Sequence, residues 1–226
     1  IVGYIGHRKA APSILKGLQR LEYRGYDSAG MALYQDQMVS LYKTQGKVAD
    51  LAALANFKES DQTIGIGHTR WATHGVPSDA NAHPHSSNSG ELTLIHNGII
   101  ENYEALKKLL VGKGYVFHSD TDTEVLVNLI EEVQKSHQYQ LGKAVQVALS
   151  QVVGAYAIVV FDTKKTDELV VAKLGSPLAI GMGDQEYFIA SDASPFIEYT
   201  NKAVYLEDYQ LAILKRDRAP KILSIT

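Results

Sequence analysis

Ala155-Tyr156-Ala157-Ile158-Val159-Val160-Phe161 is followed by Leu169-Val170-Val171-Ala172, Leu178-Ala179-Ile180 and Tyr187-Phe188-Ile189-Ala190. Val204-Tyr205-Leu206 and Leu211-Ala212-Ile213-Leu214 come next. Short apolar runs rich in β-branched and aromatic residues, parted by turn residues, read as strands. One short helix is expected among them, over 193–199. Strand follows strand without a helix between, so a doubly wound parallel sheet fits poorly. Earlier in the chain the pattern mixes strands with amphipathic helices. Strands are expected at 1–6, 31–34, 39–43, 63–67, 92–95 and 115–117, with helices at 11–21, 48–57 and 142–151. A helix with Leu106, Leu109 and Leu110 on one face closes at Gly112 and Gly114. Thr121 and Glu124 form a capping box for a helix through about Val133. This set fits an α+β fold, a four-layer α/β/β/α sandwich in one domain spanning 1–226.

The 226 residues are 45% hydrophobic and 21% charged, with a formal net charge of -3. That supplies ample core and no electrostatic footprint for nucleic acid. No apolar run approaches the roughly 20 residues of a membrane helix, and no signal-peptide pattern opens the chain. Cysteine is absent, which removes disulfides and thiolate metal sites from consideration. A cytoplasmic protein is the simplest expectation. The opening at Ile1 rather than Met is read as processing, or as residues preceding Ile1.

The most polar stretch of interest is His68-Thr69-Arg70-Trp71-Ala72-Thr73-His74-Gly75, which leaves the strand over 63–67. Arg70 offers a planar fork of donors suited to a carboxylate. Thr73 and His74 can add single hydrogen bonds, and Trp71 can cover a ligand and exclude water. The plainer reading is a polar surface loop. Asn97-Gly98 follows a strand; the Asn amide and the Gly N–H can hold a developing oxyanion, or can make an ordinary Asn-Gly turn. Asp122 opens a helix, where carboxylates are favoured electrostatically. It can equally face a ligand ammonium, and with Arg70 it would recognise an α-amino acid. The histidines 68, 74, 83, 85 and 96 lack the spacing of a metal site. Neither a metal nor a cofactor is expected.

Glu22-Tyr23-Arg24-Gly25-Tyr26-Asp27-Ser28-Ala29-Gly30, His68 to Gly75, Asn81 to His85, His96 to Asn102 and Thr121 to Glu124 occur in one order. Together they resemble the glutaminase domain of the glucosamine-6-phosphate synthase family, the isomerizing glutamine–fructose-6-phosphate aminotransferases. The resemblance covers essentially all 226 residues. It implies an N-terminal-nucleophile hydrolase fold and release of ammonia from L-glutamine through a γ-glutamyl thioester. In that family a Cys-Gly pair stands before Ile-Val-Gly, so the nucleophilic Cys is expected two residues before Ile1. Its own α-amine, with a pKa of about 7.7–8.0, would be the base. Without a thiol, these 226 residues alone are expected to bind glutamine or glutamate but not to hydrolyse it.

The resemblance also assigns roles. Arg70, with Thr73 and His74, would hold the α-carboxylate. Asp122 would hold the α-amine, with the Gly98 carbonyl nearby. Asn97 and the Gly98 N–H would form the oxyanion hole, Trp71 would ride a closing loop, and Arg24 would place the chain terminus. His83 belongs to a matched motif without a derivable role. A C-terminal sugar-isomerase part, outside these residues, would receive the ammonia and convert fructose 6-phosphate to glucosamine 6-phosphate, in a homodimer. Another amidotransferase of the same fold and a non-catalytic glutamine-binding module are the alternatives.

Overall fold

The structure, a computed structural model, describes residues 1–165 and 167–226. Its strands are β1 (Val2–Ile5), β2 (Ser28–Gln35), β3 (Met38–Gln45), β4 (Ile64–Arg70), β5 (His85–Ser86), β6 (Leu92–Ile100) and β7 (Gly154–Asp162). They continue as β8 (Leu169–Leu174), β9 (Ala179–Gly183), β10 (Glu186–Ala190), β11 (Ala203–Tyr205), β12 (Gln210–Leu214) and β13 (Lys221–Ser224). The helices are α1 (Ala10–Leu21), α2 (Val48–Ala52), α3 (Tyr103–Gly112), α4 (Asp122–His137) and α5 (Leu141–Leu149). One sheet runs β11-β9-β10-β1-β4-β2-β3 and the other β13-β12-β8-β7-β6-β5.

Three apolar layers make the sandwich. Successive side chains on a strand point to opposite faces. Val2 and Tyr4 of β1 therefore meet α1, beside Ile14 and Leu18. Ile1 and Ile5 face the other way and pack between the sheets against Ile95, Val159 and Phe161. On β6 and β7, Leu92, Leu94, Tyr156 and Ile158 turn outward onto α4 and α5, meeting Leu126, Ile130 and Val145. Gly65 and Gly67 of β4 let α1 lie close, because a Cβ on either would stand 2.5 Å from an Ile14 carbon. This is the α/β/β/α order expected from the strand-rich last third.

Several boundaries differ from the sequence reading. α2 stops at Ala52 instead of running to Phe57, and a 3₁₀ turn follows at Phe57–Glu59. On a continued helix Phe57 would lie about 180° around from Val48. The break turns it inward, edge-on to Tyr42 at 4.8 Å. Residues 115–117 form no strand. The Val116 N–H donates to Asn88 Oδ1 at 2.7 Å and its carbonyl accepts from Asn88 Nδ2 at 2.8 Å, so a side chain replaces the strand partner. Residues 193–199 make successive turns rather than a helix, with Phe196 N–H on the Ala193 carbonyl and Tyr199 N–H on that of Phe196. The capping box is half formed. Thr121 Oγ1 accepts the Glu124 amide at 3.3 Å. The Glu124 carboxylate reaches past Thr121 to the His118 and Ser119 amides.

Two extensions shape the site. β4 does not end at Gly67 but pairs on through His68, Thr69 and Arg70 with Gly30, Ala29 and Ser28. β6 continues past Ile95, pairing Asn97 with Ala157 and Gly98 with Tyr156. Polar side chains do not end a strand while backbone partners remain available.

Candidate active site

β1 is central in its sheet, flanked by β4 and β10. Val2 pairs with both Gly67 and Ala190, which sets Ile1 between His68 and Ser191 at one end of the sandwich. At that end the layer between the sheets changes from apolar to polar and opens into a cavity of about 330 Å³. Its lining includes Ile1, Arg24, His68, Arg70, Trp71, Thr73, His83, Asn97, Gly98, Asp122 and Ser191.

Asn97 sits within a strand, not in a turn. Gly98 beside it has φ 120°, and a Cβ there would stand 2.2 Å from the Ala155 carbonyl oxygen. Only glycine fits that close approach and that left-handed backbone. The Asn97 carboxamide is held at both ends. His68 Nε2 lies 2.8 Å from Asn97 Oδ1, and Asn97 Nδ2 donates to Ser191 Oγ at 3.1 Å. The Ile1 nitrogen donates to the same hydroxyl at 3.0 Å. Ile1 and the Asn97 amide therefore meet at one oxygen.

Arg70 ends β4 and is buried. Its guanidinium donates to the carbonyls of His74, Gly75 (3.1 Å) and Val76 (3.2 Å), folding the segment after β4 back over itself. Desolvation lowers its pKa, opposed by Asp27, Asp122 and Asp120. Asp122 is buried across the cavity, with one oxygen accepting the Ile100 amide at 2.8 Å. The other lies 3.9 Å from His74 Nδ1. A guanidinium and a carboxylate thus border one cavity.

The remaining expected residues are spread more widely. Thr73 and Trp71 line the cavity, but Trp71 is 70% exposed at its mouth. His74 lies outside the lining, edge-on to Tyr103 at 4.6 Å. Arg24 reaches the rim from the turn after α1 and lies 3.7 Å from Asp192. His83 is buried, stacked on His68 at 4.0 Å with the ring planes 9° apart.

Sequence reasoning passed over two residues. Ser191 directly follows β10, just before the short helix expected over 193–199, and the pairing of β10 with β1 brings it to the cavity. Asp27 accepts the Ala72 amide, and its own N–H donates to the Arg70 carbonyl at 3.1 Å, which anchors the root of the Trp71 segment. Among the described residues, no group of three His, Cys, Asp or Glu is arranged to hold a metal ion. Also among them, no helix is long and apolar enough to cross a membrane.

Residues 55–220 match the glutamine amidotransferase domain family. The chain is 55% identical to a glutamine–fructose-6-phosphate aminotransferase (isomerizing) of Bacteroides thetaiotaomicron, covering 100% of this chain and 37% of that protein. The same-named protein of Chlorobaculum tepidum is 57% identical over 96% of this chain and 36% of its own length. The chain thus spans about a third of the length of these curated relatives. Among solved structures, the glutamine phosphoribosylpyrophosphate amidotransferase from B. subtilis, complexed with ADP and GMP, superposes with a TM-score of 0.83. It is 30% identical over all of this chain and 49% of its own.

Proposed function

The chain belongs to the glutamine amidotransferase domain family, and on that premise we propose that it is the glutaminase part of a longer enzyme that hydrolyses L-glutamine. The ammonia is passed to fructose 6-phosphate, giving glucosamine 6-phosphate. The observation that carries this reading is the convergence on one cavity of Ile1, the Asn97-Gly98 pair and the opposed charges of Arg70 and Asp122.

Arg70 binds the α-carboxylate and Asp122 the α-ammonium, so glutamine lies with its side chain toward Asn97. Thr73 supports the carboxylate end from the cavity wall, whereas His74, outside the lining with its ring beside Asp122, acts there only through its backbone carbonyl, which holds the Arg70 guanidinium. The nucleophile is a Cys two residues before Ile1; two residues reach at most about 7 Å. Its thiol passes a proton to its own α-amine, and the sulfur attacks the glutamine Cδ. The Asn97 Nδ2–H and the Gly98 N–H hold the resulting oxyanion. Collapse of the tetrahedral intermediate breaks the C–N bond as the ammonium returns its proton to the leaving nitrogen. Water then cleaves the γ-glutamyl thioester, releasing glutamate. Arg24 orients the chain start, and the exposed Trp71 closes over bound glutamine.

The sugar-phosphate acceptor is supported by the names and identity of the relatives together with the Glu22 to Gly30 motif. The acceptor chemistry belongs to a further domain, and a cytoplasmic homodimer is the assembly proposed for the longer protein. A diazoketone analogue of glutamine, incubated with that protein, should alkylate the Cys two residues before Ile1. Peptide mass spectrometry locates the adduct. Labelling elsewhere, or ammonia release that survives replacement of that Cys by Ala, would overturn the mechanism.

A further inference from the structure

We propose that His68 is a positioning residue whose imidazole fixes which way the Asn97 carboxamide points. The proposal rests on the reading of Asn97 as oxyanion donor. A carboxamide can turn over and exchange its oxygen with its NH₂. Turned the wrong way, Asn97 would present a carbonyl oxygen to a developing negative charge and repel it.

Ser191 does not make this choice. A hydroxyl both donates and accepts, so Ser191 Oγ can serve either end of the amide at 3.1 Å. The choice falls to His68 Nε2, 2.8 Å from Asn97 Oδ1. Among the described residues, His68 Nδ1 is buried without a hydrogen-bond partner. A proton on Nδ1 would leave a buried N–H unsatisfied, which is rarer and costlier than a bare acceptor. The proton therefore belongs on Nε2, which donates to Oδ1 and leaves the NH₂ for Ser191 and the cavity. Burial holds the imidazole well below its ordinary pKa, so the ring is neutral and has a single N–H to place.

The ring is fixed in turn from behind. His83 stacks on it at 4.0 Å, 9° from parallel, and the His83 backbone comes close to β2 because Gly30 has no side chain. A Cβ on Gly30 would fall 1.7 Å from the His83 carbonyl oxygen. The order of support is Gly30, the His83 segment, the His68 ring and then the Asn97 amide. This gives His83 a role as the plate that holds His68 flat.

The test uses the full-length enzyme carrying its N-terminal Cys. His68→Phe keeps a flat ring against His83 and removes the donor, and should lower kcat for glutamine hydrolysis by about 10²-fold. KM and glutamate binding should stay within about threefold, as for a group that acts only in the transition state. His68→Gln retains an N–H donor and should recover about tenfold of the loss. The double variant His68→Phe/Asn97→Ala should be no slower than Asn97→Ala alone, because both changes remove one interaction. Unchanged kcat in His68→Phe, or losses that multiply in the double variant, would overturn the proposal. The wild-type protein supplies a readout independent of variant folding: ¹⁵N chemical shifts should show His68 protonated on Nε2 and bare at Nδ1, and the opposite tautomer would overturn it. Wild-type kcat in Asn97→Ala would instead remove the oxyanion reading, and the ¹⁵N result would still report the amide's orientation.

Discussion

Asp122 accepts the Ile100 amide at 2.8 Å, tying the first turn of α4 to the last residue of β6. The carboxylate thus has a structural task on one oxygen and leaves the other facing the cavity side. Asn at this position can still accept the Ile100 amide through its carbonyl oxygen but carries no charge. Asp122→Asn should therefore fold and lose glutamine. The expected cost is about 2–5 kcal/mol in binding, as for one partner removed from a buried charge pair. Calorimetry with L-glutamate would read it, and unchanged affinity would remove the α-amine assignment.

Arg70 spends guanidinium donors on the carbonyls of residues 74–76 as well as bordering the cavity. A lysine ammonium has no planar fork and cannot serve several carbonyls and a carboxylate together. Arg70→Lys should raise KM for glutamine and also make the 71–76 segment more sensitive to limited proteolysis. Arg70→Ala should cost about 2–5 kcal/mol of binding. A KM defect with wild-type protease resistance would separate the two tasks and show that the loop does not depend on Arg70.

For Asn97 the expectation is the reverse split. Asn97→Ala in the full-length, Cys-bearing enzyme should lower kcat by about 10²–10³ while leaving glutamine binding nearly intact. Steady-state kinetics with a glutamate binding control decides it. A loss confined to binding would make Asn97 a packing residue of β6.

The pH dependence of stability follows from four buried imidazoles. His68, His83, His85 and His96 are all held below the ordinary histidine range, by desolvation first. Lys43 adds to this at His83 and His85, whereas Asp122 opposes it at His96. The unfolded chain binds these protons and the folded chain does not. Stability is therefore fully present above about pH 6.5 and falls as pH drops below it. Each such histidine steepens the fall by up to about 1.4 kcal/mol per pH unit. Urea midpoints measured from pH 7.5 to 5.0 should decline, and His83→Phe should flatten the slope. A midpoint independent of pH would contradict the buried neutral imidazoles.

Gly30→Ala probes the packing behind the site. Its Cβ would meet backbone rather than a movable side chain, so the strand or the His83 segment must shift. A loss of about 3 kcal/mol or more is expected, the upper end for overpacking. Thermal melting reads the stability. A variant as stable as wild type would mean that the 82–84 segment can move away from β2 freely.

The sequence by itself determined the layers and the chemistry. Strand following strand after residue 155 argued against a doubly wound parallel sheet, and amphipathic patterns located the helices earlier in the chain. These are local periodicities, and a strand or helix shows its buried face in its own residues. Arg70, Asn97, Gly98 and Asp122 were legible as types of chemistry, yet each kept an ordinary alternative: a loop, a turn or a helix N-terminus. Tertiary structure decided among them. Whether Asn97 turns or stays in a strand depends on Ala157 across the sheet, and whether the chain start meets the oxyanion donors depends on β1 lying between β4 and β10. Ser191 and the stack of His83 on His68 had no local signal at all. Their partners lie 190 and 15 residues away, and a contact made across such a separation leaves no periodic trace in either stretch.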